Sequence, residues 1–165
     1  MIQFTEAQFL AWITPLIWPF ARVLALFATL PVLGQRTGPG RVRVALAFFL
    51  TGCAQASLPP IPVVPLDSAQ ALMVLVQQLV IGISLGFAAR IVFAAIEFAG
   101  ELIGLQMGLN FAMFFDPTTG GQATAVSRFF GVTVGWLFIV INGHLLLIAA
   151  VVRSFTTFPV SAEPF

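Results

Sequence analysis

The stretch EFAGELIGLQMGLNFAMFFDPTTGGQ, Glu97 to Gln122, lies between two long apolar runs and fits neither a plain membrane span nor a solvent loop. Its first half carries Glu97 and Glu101 with glycines at 100, 104 and 108. Its second half gathers Phe111, Met113, Phe114 and Phe115 ahead of a turn at Asp116-Pro117 and the pair Gly120-Gly121. A segment at bilayer depth that breaks its helix must be buried in protein or line a cavity, because lipid cannot satisfy the freed backbone groups. The stretch therefore reads as the working part of a channel or gate.

Composition sets the surroundings of that stretch. The 165 residues are 59% hydrophobic and 8% charged, against about 25% charged in ordinary soluble domains. With a mean hydropathy of +1.05, the class is an all-α, polytopic helical membrane protein. It is expected to have about four long apolar helices plus the broken segment, in a single domain over residues 1–165. The seven basic residues are all arginines and the formal net charge is +1. That balance offers no basic stripe for nucleic acid. Cys53 is the only cysteine, which excludes an intrachain disulfide and a cysteine-built metal site. In its apolar run it reads as a small buried hydrophobe. The first positive residue is Arg22, so the N-terminus lacks the basic start of a signal peptide and the first run is expected to stay as an anchor.

Four apolar runs follow in order. Phe9 to Leu33 is long enough for the ~20 residues a spanning helix needs, with Pro15 and Pro19 expected to kink its first half. Arg22 falls near its middle. A charge there costs at least ~2.5 kcal/mol, so Arg22 is expected to face protein or water. The link Gly34 to Arg43 holds Arg36, Arg41 and Arg43; the positive-inside rule makes it cytoplasmic and places the N-terminus outside. The second run, Val42 to Leu58, is short for a span. Ser57 to Asp67 (SLPPIPVVPLD) is too rich in proline for a helix and reads as an extended outer connector. The third run, Leu72 to Ile96, returns inward; the fourth, Phe129 to Val152, contains Asn142 and His144 and is bracketed by Arg128 and Arg153. No repeat of about 20–50 residues is visible.

On one helix, Arg90, Glu97 and Glu101 fall within about 40° of each other, and Gly104 and Gly108 extend nearly the same stripe. Small residues spaced by four let membrane helices approach closely, which is the plain reading of Gly82, Gly86, Gly100, Gly104, Gly108, Gly131 and Gly135. The sharper reading gives the carboxylates a pore-facing role or a buried ion pair within the set Arg22, Arg90, Glu97 and Glu101. A polar residue inside a span is a functional hypothesis by default, yet a lone histidine such as His144 is more often a hydrogen-bonded core residue than a proton relay. Neither a second histidine nor a nearby carboxylate completes a metal site. No catalytic motif appears: without lysine there is no Walker sequence, H-E-x-x-H and G-x-S-x-G are absent, and Ser84, Ser127 and Ser154 lie in no nucleophile motif. Asp67 and Asp116 both sit in proline turns. The chain reads as a non-enzyme with no cofactor.

Gly100 to Gly108 (GELIGLQMG), Phe111 to Pro117 (FAMFFDP) and Gly120-Gly121-Gln122 resemble the signature region of the FliR family of flagellar type III export membrane proteins. Asn142 to Leu147 (NGHLLL) resembles its next span, and Pro31 to Gly34 with the following arginines resembles the end of its first. The resemblance runs over essentially the whole chain, although the family continues with a further helical hairpin that this sequence lacks; contacts belonging to that hairpin are not carried over. The resemblance implies a noncatalytic export-gate subunit of the bacterial inner membrane and flagellar basal body. Its implied partners are FliP-like, FliQ-like and FlhB-like subunits, membrane lipid and unfolded flagellar substrates. It also implies that the assembled subunits stand largely out of the bilayer plane, so that four spans describe the inserted monomer.

The family's pore plug corresponds to residues 106–122, with Gln106, Met107, Phe111, Met113, Phe114, Phe115, Asp116, Pro117, Gly120, Gly121 and Gln122 as gating residues. Methionine and phenylalanine side chains exclude water by dewetting, and methionine yields to varied substrates. The Asp-Pro turn and the glycine pair supply the bend and mobility that displacement of a plug requires. The homologous subunit of a virulence injectisome shares this reading with different cargo. A small secondary transporter would show paired broken helices in two similar halves, whereas one broken segment is seen. A purely structural membrane subunit without pore contact is the third alternative.

Overall fold

The apolar runs become helix, and among their stops are a proline-rich connector, a glycine in the left-handed region and an Asn-Gly step. The computed structural model describes residues 6–30, 40–55, 58, 61, 64–65, 67–108 and 124–161, with side chains of the first helix described from residue 13 onward. The helices are α1 (Glu6–Thr29), α2 (Gly40–Ala54), α3 (Ala69–Gln106), α4 (Ala125–Val140) and α5 (Gly143–Thr157). No strand occurs among the described residues. The protein is an all-α, helical membrane protein.

The helix lengths are uneven. By length and composition α3, with 38 residues, is the one described helix that can cross a membrane by itself. Residues Ile13–Thr29 of α1 form a shorter apolar helix, and α4 and α5 reach span length only when taken together. α2 has 15 residues, about 22 Å, less than the ~30 Å hydrocarbon layer. It begins at Gly40, so Arg41 and Arg43 belong to its first turn and not to the preceding link. α1 stays helical through Pro15 and Pro19. The described residues of the 57–67 connector, Leu58, Ile61, Val64, Pro65 and Asp67, are not helical. Ser68 then starts α3, its hydroxyl accepting from the Ala71 amide at 3.2 Å, as an N-cap does.

The fourth run is two helices. Asn142 takes a φ of 57°, a left-handed conformation that asparagine tolerates better than most residues. Its amide still donates to the Ile139 carbonyl and its carbonyl accepts from Leu145, so one helix closes and the next opens with the backbone groups paired. Gly143 follows because a Cβ there would collide with the ring of Phe138.

The chain divides into two compact units, Met1–Ala88 with Leu146–Phe165, and Ala89–Leu145. In the first, Trp18, Leu26, Val74 and Phe155 are fully buried. α2 lies along α1 there, with Phe20 and Phe48 edge to face at 6.4 Å and Ala47 and Thr51 turned inward. α1 and α3 run in the same direction, since Gly82 meets Arg22 and Ala25 while Gly86 meets Leu26 and Thr29. In the second unit, Phe93 and Phe138 pack edge to face at 5.3 Å, beside buried Val134. Cys53, expected to be buried, is exposed: it lies on the side of α2 away from the buried Ala47 and Thr51.

Candidate functional site

The first half of the Glu97–Gln122 stretch forms the last turns of α3, as the shared stripe of Arg90, Glu97, Glu101 and Gly104 requires. Glutamates and glycines interrupt the apolar pattern without interrupting the helix, because glycine costs only about 1 kcal/mol in a helix interior. The helix stops at Gly108, whose φ of +71° is the left-handed terminator that lacks a Cβ penalty. The Met107 and Gly108 amides still donate back to Ile103 and Leu105. Gln106 and Met107 close α3 at its exposed end, Met107 with 63% of its surface open.

α4 returns antiparallel along that end of α3. Gly104 faces the Thr124 side chain, Gly100 faces the Cα of Ser127 and the ring of Phe130, and Gly131 faces the Glu97 side chain. A Cβ at Gly100 would come within 2.9 Å of the Ser127 Cα and one at Gly104 within 3.1 Å of Thr124 Oγ1. The seam therefore depends on bare backbone at both positions. The Ser127 hydroxyl donates to the Glu97 carbonyl at 3.0 Å, and the Thr124 hydroxyl accepts from the Ser127 amide at 3.1 Å, capping α4. The two ends that flank residues 109–123 are thus held side by side by tight packing. Phe111, Met113, Phe114, Phe115, Asp116, Pro117, Gly120, Gly121 and Gln122 lie outside the described residues.

Two of the seven glycines differ from the close-packing reading. Gly108 terminates a helix, and neither it nor Gly135 has any atom within 4 Å of an added Cβ. Gly82 and Gly86 do meet α1 closely: a Cβ at Gly82 would collide with the Arg22 carbonyl, and one at Gly86 with the Thr29 hydroxyl.

Among the described residues the two cations of the ionic set have different surroundings. Arg90 is exposed, two helical turns from Glu97, whereas charges pair along a helix at three or four residues. Glu97 and Glu101 are half-buried. Arg22 is fully buried, but its partners are neutral. Its Nε donates to Gln78 Oε1 at 2.7 Å, one terminal nitrogen to the Ser154 hydroxyl at 3.0 Å and the other to the Phe158 carbonyl at 2.9 Å. Its guanidinium also lies 3.9 Å from the centroid of the Phe155 ring. Gln78 and Ser154 were the residues that sequence reasoning missed. Their signal was present as polar residues in apolar runs, but only the fold reveals that they converge on Arg22. His144 is half-buried, and its Nδ1 finds no hydrogen-bond partner among the described residues.

Residues 13–165 match the model of the bacterial export proteins, family 1. The chain belongs to this family. It is 44% identical over 99% of its length to the flagellar biosynthetic protein FliR of Escherichia coli K12, and 42% identical over 99% to that of Pectobacterium carotovorum. A more distant relative of the same name, from Bacillus subtilis, is 34% identical over 82% of the chain. The chain spans 62% of the length of the first two relatives and 52% of the third. The export family and the apolar helices agree on a membrane-associated protein.

Proposed function

We propose that this chain is a noncatalytic subunit of the flagellar protein export apparatus in the bacterial inner membrane. It contributes to the wall of a pore through which unfolded flagellar subunits pass, and residues 106–122 act as the seal. The observation that carries the reading is the match of nearly the whole chain to an export family whose similar relatives are named flagellar biosynthetic proteins. The relatives' name favours the flagellar branch over a virulence injectisome.

The chemistry of the stretch supports the seal. A conduit wide enough for a polypeptide must hold back ions when idle, and side chains such as Met107, Phe111, Met113, Phe114 and Phe115 repel water from a constriction. The anchors of that segment have the form a seal requires, because a movable element needs fixed ends. α3 and α4 supply them through the contacts of Gly100 and Gly104 with Ser127 and Thr124. FliP-like, FliQ-like and FlhB-like subunits are the partners this role calls for. The many apolar side chains exposed along α3 and α4, among them Phe87, Phe98, Phe129 and Trp136, give such partners and lipid a surface to cover.

Site-specific photo-crosslinkers at residues 106–122, in cells whose export is stalled on a tight-folding substrate, test the assignment. Adducts to the substrate are expected. Adducts confined to lipid or to other membrane subunits would remove the seal from this segment. Replacing Met107 and Phe111 with serine should raise the ion conductance of the assembled complex while export continues.

A further inference from the structure

We propose that Arg22 is an assembly latch, a tertiary cap that docks the end of α5 onto α1 and α3. Three observations within the first unit carry this. First, α5 has no basic residue in its last turn, although a helix C-terminus carries partial negative charge and unpaired carbonyls that favour a cation. Second, a cation from another helix is there: one terminal nitrogen of Arg22 binds the Phe158 carbonyl just beyond α5, and the other binds the Ser154 hydroxyl in its last turn. Third, the remaining side of the guanidinium is fixed from α3 by Gln78, while its face covers the Phe155 ring.

A buried arginine without a carboxylate is therefore not uncompensated. The negative end of α5 and an aromatic face take the place of a counter-ion. The arrangement is also directional. Arg22 and Gln78 belong to helices that reach each other through close contacts at Gly82 and Gly86, so α1 and α3 can form the socket before α5 arrives. The last turn of α5 carries no basic residue of its own, and its docking is conditional on that socket. Lysine cannot replace the fork, because one ammonium cannot reach three acceptors set around a planar guanidinium.

The test uses the full chain in membranes, with Cys53→Ser and one reporter cysteine at a buried position. Val160→Cys reports the docked end of α5 and Phe93→Cys reports the second unit; both native residues are buried. With Arg22 intact, both reporters should react slowly with a membrane-permeant maleimide. Arg22→Met and Arg22→Lys should each raise labelling at position 160 by about tenfold or more, as local undocking does, and leave position 93 protected. Gln78→Leu should give a smaller rise at position 160. Protection of position 160 in Arg22→Met overturns the proposal. So does equal exposure of positions 160 and 93, which would make Arg22 a support of the whole fold and not a latch for one helix end.

Discussion

Along α3 the chain makes two helix seams with the same small-residue device and opposite treatments of charge. The seam with α1 closes over Gly82 and Gly86 and encloses Arg22 completely. The seam with α4 closes over Gly100 and Gly104, and keeps Glu97 and Glu101 half-buried at its side. Close approach of backbones is common to both and is independent of what polar group travels with it. The difference lies in the partners: a cation surrounded by an amide, a hydroxyl, a carbonyl and a ring tolerates full burial, whereas the two carboxylates keep some access to their surroundings.

The largest effect that would sharpen this contrast is expected from Arg22→Met. Removing the guanidinium deletes its hydrogen bonds to the Gln78, Ser154 and Phe158 oxygens inside the first unit, bonds that as charge-assisted ones are worth about 1.5–3 kcal/mol each. Denaturation of the purified chain in detergent should show a loss of about 3 kcal/mol or more; a loss below 1 kcal/mol would mean that the buried network contributes little. Next is Gly100→Leu, where the side chain meets the Ser127 backbone. Overpacking of this kind costs about 1–3 kcal/mol, and the same denaturation experiment should find it, with export reduced in a motility assay. Ser127→Ala removes the hydrogen bond to the Glu97 carbonyl and should cost about 1 kcal/mol. The smallest change should have the opposite sign. Gly135→Ala meets open space and replaces a poor helix former by the best one, for a gain of up to about 1 kcal/mol. A destabilised Gly135→Ala variant would show that this face is covered in the working protein.

The parts of the fold that were legible in the sequence are those fixed by local chemistry. The proline-rich 57–67 segment had to interrupt the helices, and a charge as deep as Arg22 had to be met by protein or water. The break at Asn142-Gly143 was also written locally, as a turn-forming dipeptide, but the apolar residues on both sides concealed it. The continuation of α3 to Gln106 was legible as one helical stripe through Arg90, Glu97, Glu101 and Gly104, but what that stripe packs against was not. The partners of Arg22 were illegible because 56 residues separate it from Gln78 and 132 from Ser154, and no periodicity relates positions on different helices. Within the candidate site, the anchors at Gly100, Gly104, Thr124 and Ser127 required the antiparallel register that only the fold supplies.

The 38 residues of α3 make a rod of about 57 Å. To lie wholly within a hydrocarbon layer of ~30 Å it would have to lean about 58° from the normal, beyond the ~40° limit seen for spanning helices. One end of the rod therefore stands outside the oily layer while still carrying exposed Leu102, Leu105 and Met107 or Leu72, Met73 and Val76. Water is a poor neighbour for either set, so the length of this single helix leaves apolar surface that the hydrocarbon layer alone cannot cover.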